Sequence, residues 1–335
     1  MKLIVQIPCY NEAETLPQTV ADIPRKIDGI DIVEILIVDD GSSDGTAEIA
    51  ARIGVDHIIR NKANAGLART FQSGINACIA RGADIIVNTD GDNQYQGASI
   101  PDLIRPILEG RADVVIGDRR PHENPEFSLV KRSLQKLGSS VVKVLAGIEA
   151  DDAVSGFRAY TRDAALGINV MTTFSYTTET LIHAGRKGLA VVSVPVGTNA
   201  QTRESRLFKS MGGFIKKQLV TMLRAFTMYQ PLTAFSTIGF VMLLIGSVPI
   251  LRFLYFFIIG ESSGRVQSLI LGSMFFVTGY LTLIIALLSD TIATNRQLLE
   301  ATLDRVKRME LASRNGEPTK AEDRHDDAAA QKAAQ

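Results

Sequence analysis

The stretch Ile85-Ile-Val-Asn-Thr-Asp-Gly-Asp-Asn-Gln-Tyr95 decides the fold. It opens as a short apolar run, the pattern of a buried strand, and breaks into a turn carrying Asp90, Asp92 and Gln94. If the backbone stays extended, alternation puts these three oxygen-bearing side chains on one side. Gly91 relaxes the backbone between the aspartates and leaves room for a ligand to approach closely. Hard divalent cations prefer oxygen ligands, and Mg²⁺ commonly takes one or two carboxylates plus substrate phosphates. One reading is a metal-assisted phosphate site at the carboxyl end of a strand. The other is a surface turn, because Asp, Gly and Asn are common turn residues. The rest of the chain decides between them.

Outward from this stretch, residues 1–200 alternate strand and helix patterns. Strands are expected at Lys2–Ile7, Val33–Asp39, Asp56–Arg60, Ala83–Thr89 and Val114–Gly117. Helices are expected at Glu14–Ile27, Asp44–Ile53, Gly66–Arg81 and Ile100–Glu109. The alternation predicts an α/β domain with a mainly parallel sheet covered by helices on both faces. Ligands of such sheets bind beyond the carboxyl ends of the strands. Three of those ends carry polar chemistry: Pro8-Cys-Tyr-Asn-Glu12, Asp39-Asp-Gly-Ser-Ser-Asp-Gly-Thr46 and Asp90-Gly-Asp92. Turn chemistry explains each one alone, and Asp44 could simply cap the following helix. It does not explain why all three fall on one sheet edge, and that convergence points to an active site. The first strand is not followed by G-x-G-x-x-G, and Asp39-Asp-Gly lacks the Gly-Lys-Ser/Thr ending of a phosphate-binding Walker loop, so neither nucleotide motif applies.

The 335 residues balance 36 basic against 36 acidic side chains, so bulk charge singles out no partner and nucleic acid is not expected. Cys9 and Cys78 have no metal-type spacing and suit a reducing compartment. The N-terminus runs straight into strand-like sequence with no signal-peptide pattern, so the first domain is expected to fold in the cytosol.

The three quoted motifs resemble family 2 of the inverting glycosyltransferases, which have the GT-A (nucleotide-diphospho-sugar transferase) fold. Asp92-x-Gln94 and Ser155-Gly-Phe-Arg-Ala159 are further similar to the polyprenyl-phosphate sugar synthases, the group of the dolichyl-phosphate mannose and undecaprenyl-phosphate glucose enzymes. The resemblance implies a nucleotide-sugar donor of the UDP-glucose or GDP-mannose type and a polyprenyl-phosphate acceptor. It implies donor contacts at Pro8, Tyr10, Asn11, Glu12, Asp40, Asp90 and Gly91, and Mg²⁺ or Mn²⁺ on Asp90, Asp92 and Gln94. Asp152, with Asp151 as its substitute, matches an acidic position of the catalytic pocket. Arg119, Lys131, Arg132 and Ser155 fall where the acceptor phosphate is expected, and Arg203-Glu-Ser-Arg206 resembles a basic loop closing over donor phosphates. Asp92 and Arg132 join Asp152 as expected catalytic residues.

The chemistry of such a transfer is a single displacement at the anomeric carbon. Charge builds on the leaving diphosphate, which a divalent ion and arginines stabilise. A lipid phosphate monoester is already an anion near pH 7, since its second pKa is about 6. Such a nucleophile scarcely needs a general base, so Asp152 is expected first to orient sugar or acceptor.

The last third is apolar. Residues 207–229 read as an amphipathic helix at a membrane surface, with Lys209, Lys216, Lys217 and Arg224 toward anionic headgroups. Leu232–Leu251 and Ser268–Ser289 each supply the ~20 largely apolar residues of a spanning helix. Arg252 is close enough to an end to snorkel. Basic residues flank the pair on one side, so the positive-inside rule keeps the 1–206 domain and both termini cytoplasmic at the cell membrane. Within the hairpin region 230–290 the loop offers Arg265 alone. Residues 291–312 read as a charged cytoplasmic helix suited to pairing in a homo-oligomer, and 313–335 as a polar disordered tail. Two alternatives stand beside this reading: a processive polysaccharide synthase of the same superfamily, and, in a different class, an inactive membrane-anchored nucleotide-sugar binding protein. The first carries a Gln-x-x-Arg-Trp motif, and this chain has no Trp. Intact Asp90, Asp92 and Gln94 argue against the second.

Overall fold

A computed structural model of the chain describes residues 1–120, 143, 147–148, 152–170, 176–199, 220, 223–224, 226–260 and 266–315. Two compact units are present, one comprising Met1–Ile215 with Leu303–Gln335 and the other Lys216–Thr302.

The first unit is built on seven strands: β1 (Lys2–Cys9), β2 (Ile32–Asp39), β3 (His57–Arg60), β4 (Ile85–Asn88), β5 (Val114–Asp118), β6 (Arg158–Thr161) and β7 (Val191–Pro195). Their order in the sheet is β3-β2-β1-β4-β6-β5-β7. Every pairing is parallel except those of β6, which runs against both β4 and β5. The reversal brings the start of β6 to the edge where the parallel strands end.

Alternation along β1 sends Leu3, Val5 and Ile7 to one face and Ile4 to the other. The first face is covered by α1 (Leu16–Ala21), α2 (Thr46–Arg52) and α4 (Ile100–Leu108), through Leu16, Val20, Ala50, Leu103 and Ile104. The opposite face is covered by α3 (Leu67–Ala80), α5 (Arg162–Leu166) and α6 (Tyr176–Arg186), through Phe71, Ile75, Leu166 and Leu181. Burying each such large apolar side chain is worth about 1.5–3 kcal/mol, which makes the sheet a rigid platform.

Helix α1 is shorter than its apolar pattern predicts. Pro24 disfavours helical backbone at the residue before it, and the helix stops at Ala21.

In the second unit, α7 spans Pro231–Ile258, and α8 spans Val266–Asn315, its last turns from Leu303 belonging to the first unit. Pro231–Ile258 and Val266–Leu311 are long and apolar enough to cross a membrane. The helices touch through glycines. A Cβ on Gly246 would lie 2.8 Å from the Gly272 carbonyl, and one on Gly279 would lie 2.8 Å from the Gly239 carbonyl. Small residues that let backbones close in are the usual device where lipid removes any hydrophobic drive between helices.

The sequence pattern divides 268–289 from 291–311, whereas the structure runs one helix through both. No Gly or Pro stands between Tyr280 and Asn315 to end it. Its charged end is part of the first unit: within that unit Asp304 pairs with Lys187, Arg308 meets Asp163 at 2.8 Å, and Leu311 packs, partly buried, against the core.

Candidate active site

The loops after β1 and β2 are stitched into one surface. Asn11 takes the left-handed conformation at φ 56°, which Asn tolerates better than most residues. Its backbone N–H donates to Ser42 Oγ at 2.9 Å, and its Oδ1 accepts from the Ser43 N–H at 2.9 Å. The Glu12 N–H reaches Thr46 Oγ1 at 3.0 Å, and the Ala13 N–H reaches Asp44 Oδ2 at 3.0 Å. Burial opposes the Asp44 charge, but the Thr46 hydroxyl and the Ala13 N–H hold its carboxyl below the usual range. Asp44 therefore ties two loops together, while Gly45 takes the cap position of α2. Pro8 is buried in β1, whereas Tyr10 is exposed at its end.

Asp39 and Asp40 are both buried. Asp40 accepts from Asn61 Nδ2 and the Ala65 N–H, each at 2.8 Å, and from the Gly66 N–H at 2.9 Å. The residue expected to touch the donor nucleotide thus holds the 61–66 loop in place. Beside it, Gly41, Ser42, Arg60, Asn61 and Lys62 bound a cavity of about 220 Å³.

The turn after β4 packs hard against the β1 loop. A Cβ on Gly91 would lie 3.0 Å from Cys9 Sγ and 3.2 Å from Glu12 Cγ, so a larger residue would require those side chains to give way. The Gly91 carbonyl accepts from Thr15 Oγ1 at 2.7 Å. Asp92 Oδ1 accepts from the Gln94 N–H at 3.1 Å, and the Gln94 carbonyl accepts from the Asn199 N–H at 2.9 Å. Asp90 keeps partial solvent exposure, yet protein surrounds most of it. That burial, then the Asp92 charge, pushes its pKa up to about 7 against the opposing pull of Arg119. Two adjacent carboxylates that cost this much to ionise together suit a cation. Among the described residues no three His, Cys, Asp or Glu side chains gather into a ready-made cage. The donor set fits Mg²⁺ or Mn²⁺ of the kind that takes one or two carboxylates and fills its shell with phosphate oxygens and water.

Opposite this turn, Arg119 holds Asp152 in a two-pronged ion pair, Nε to Oδ2 at 2.7 Å and Nη2 to Oδ1 at 3.0 Å. Arg119 also lies over the Tyr95 ring, 5.8 Å from its centroid. Next in the chain, Arg120 is left-handed at φ 47°, its N–H donating to Asp118 Oδ1 at 2.9 Å. Such strain in a residue with a Cβ gathers at functional sites. Ser155 is fully buried, its hydroxyl donating to Tyr95 Oη at 3.4 Å, so it shapes the loop from inside. Lys131, Arg132, Asp151, Arg203 and Arg206 lie outside the described residues, as do most of 207–229 and all of 316–335.

Four strand ends and one strand start therefore bring phosphate-type and carboxylate chemistry to a single edge. Residues 4–167 match the sequence model of the family described as glycosyl transferase family 2. The chain carries a glycosyl transferase family 2 domain. It is similar to the undecaprenyl-phosphate mannosyltransferase of Micrococcus luteus, 28% identical over 234 residues that cover 67% of this chain and 93% of the relative. The polyprenol monophosphomannose synthase of Mycolicibacterium smegmatis is 27% identical over 229 residues, covering 65% and 84%. Among solved structures, glucosyl-3-phosphoglycerate synthase of Mycobacterium tuberculosis, crystallised with Mn²⁺, UDP-glucose and phosphoglyceric acid, superposes with a TM-score of 0.54. At 21% identity, covering 67% of this chain and 79% of that one, it shows the GT-A fold.

The glycosyltransferase also places residues at the site that pattern reading passed over. Asn88, inside the apolar run, is fully buried and donates through Nδ2 to the Gly156 carbonyl at 2.8 Å and to Tyr176 Oη at 3.0 Å. Arg158 is fully buried and donates to the Ala153 carbonyl at 2.8 Å, the Thr177 carbonyl at 2.6 Å and Thr180 Oγ1 at 2.7 Å. It pins the loop bearing Asp152 to the start of α6. A polar residue within an apolar strand was the available signal for Asn88. For Tyr176 there was none.

Proposed function

We propose that this glycosyltransferase moves a single sugar from a nucleotide-sugar to a polyprenyl phosphate at the cytoplasmic face of a membrane, with inversion at the anomeric carbon. One observation carries the reading: a site with paired carboxylates Asp90 and Asp92 shares a chain with two helices able to cross a membrane. The names of the relatives, mannosyltransferases acting on polyprenyl phosphates, favour the same acceptor.

Asp90 and Asp92, with Gln94 beside them, would hold Mg²⁺ or Mn²⁺, which supplies positive charge to the leaving diphosphate. The cavity beside Ser42 and Asn61 suits the nucleoside part of the donor, with Tyr10 exposed nearby on the β1 loop. Arg119 supplies charge for the incoming phosphate. That phosphate arrives ionised, so the reaction needs no proton removed from the nucleophile. The grip of Arg119 on both Asp152 oxygens fits this chemistry, because a carboxylate so engaged is a poor base but a firm anchor.

The test uses membranes containing the full chain, a panel of labelled UDP- and GDP-sugars, undecaprenyl phosphate and Mg²⁺ or Mn²⁺. The expected product is a lipid carrying one sugar, lost on chelation and in Asp92→Ala. Label in a polymer, or transfer that survives both treatments, overturns the proposal.

A further inference from the structure

The polar groups behind Asp90 form a chain whose hydrogen-bond directions can be worked out. The Gly156 carbonyl can only accept, so the Asn88 group facing it at 2.8 Å must be the amide NH₂. The same NH₂ faces Tyr176 Oη at 3.0 Å, so the tyrosine oxygen accepts there. On its other side Asn88 Oδ1 accepts from Gln6 Nε2 at 2.9 Å, which locks the amide in that sense. The Tyr176 hydroxyl has therefore kept its own proton to give away. Tyr176 is buried, and among the described residues that proton meets no acceptor at hydrogen-bond distance. A buried donor left unspent is destabilising.

Gly156 shows where the proton is aimed. A Cβ placed there would lie 2.6 Å from Tyr176 Oη, and 3.2 and 3.3 Å from the two Asp90 carboxylate oxygens. The hydroxyl and the carboxylate thus converge on one point, kept open by a glycine. Its backbone φ is not left-handed, so close approach accounts for the residue. An ionised carboxylate only accepts, and the hydroxyl still has its donor to offer. The Tyr176 ring is held by stacking on Phe71, with centroids 4.1 Å apart and planes at 15°.

We propose that Tyr176 is a positioning residue for the metal site: its hydroxyl donates to the Asp90 carboxylate, directly or through one water, and fixes the direction in which that carboxylate faces. The inference rests on the reading of Asp90 as a metal ligand. Partners that orient a ligating carboxylate typically change metal affinity 10–100-fold when removed.

Tyr176→Phe removes the hydroxyl and keeps the stacked ring. Mn²⁺ binding to the purified full chain, followed by electron paramagnetic resonance with UDP or GDP present, should weaken about tenfold in this variant, while its melting temperature stays near that of the parent. Equal Mn²⁺ affinity in parent and variant overturns the inference and leaves the metal reading standing. A parent that binds no Mn²⁺ sinks the metal reading and this inference with it. A second pair tests the geometry. Gly156→Ala should lower the melting temperature, and adding Tyr176→Phe should recover part of the loss, because the Cβ then loses its tightest contact, the one with Tyr176 Oη at 2.6 Å. An additive or worsened double variant contradicts the convergence.

Discussion

Arg119 and Asp152 face each other with two parallel hydrogen bonds, at 2.7 and 3.0 Å, and Asp152 is fully buried. Removing one partner of such a pair leaves a buried charge behind, at a cost of about 3–5 kcal/mol. Asp152→Asn should therefore lower the melting temperature and raise KM for the lipid acceptor, because Arg119 loses its anchor. If Asp152 acted as a base, kcat would fall with KM unchanged and the acidic limb of the pH–rate profile would vanish. Steady-state kinetics across pH separates the two.

Asp90 gives a pH signature. Its carboxyl is raised from the ordinary 3.8 to about 7, by burial first and the Asp92 charge second. The folded, metal-free protein thus keeps a proton that the unfolded chain has released. The resulting stability is fully present below the unfolded value and drains away as pH rises through about 7. A cation bound at the site reverses the loss. The Mn²⁺-induced rise in melting temperature should be larger at pH 8 than at pH 6, and Asp90→Asn should abolish that difference.

Asp40 predicts a donor-side defect. Its three hydrogen bonds to the 61–66 loop, each to a charged acceptor, contribute about 1.5–3 kcal/mol apiece at most. Asp40→Ala should loosen that loop, raise KM for the nucleotide-sugar at least tenfold, and leave KM for the lipid near its starting value. Kinetics with each substrate varied in turn reads this directly.

The helix pair predicts a packing defect remote from the chemistry. Gly246→Leu would drive a side chain into the Gly272 carbonyl, 2.8 Å from the new Cβ. The hairpin must splay or fail to insert. Membrane-extracted protein should fall several-fold, whereas Ile245→Leu, on an exposed neighbour, should be neutral.

How much of this was legible in the sequence depended on how local the cause was. Strands β1 to β5 and their helices showed in the alternation of apolar runs and amphipathic stretches, and the Asp90 turn announced itself through residue type. Strand β6 did not, since Arg158-Ala-Tyr-Thr161 is four residues with a charge at its head. The burial of that arginine is explained by carbonyls at Ala153 and Thr177, which the chain brings together only in three dimensions. Likewise the motif marked Asp40 as a candidate ligand contact, but not its hydrogen bonds to amides more than twenty residues away. Residue type named the edge of the sheet where the polar side chains gather. It did not say which side chains at that edge face inward to support the others.

Strand β6 has one more consequence. Because it alone is reversed, the connection from Asp118 to Arg158 departs from and returns to the same side of the sheet. Insertions and deletions between those two residues leave every strand register untouched, and longer loops carry only a slowly growing entropic penalty. The length of that connection is thus independent of the sheet, while β1, β2 and β4 hold the loops carrying Glu12, Asp40 and Asp90 in fixed register.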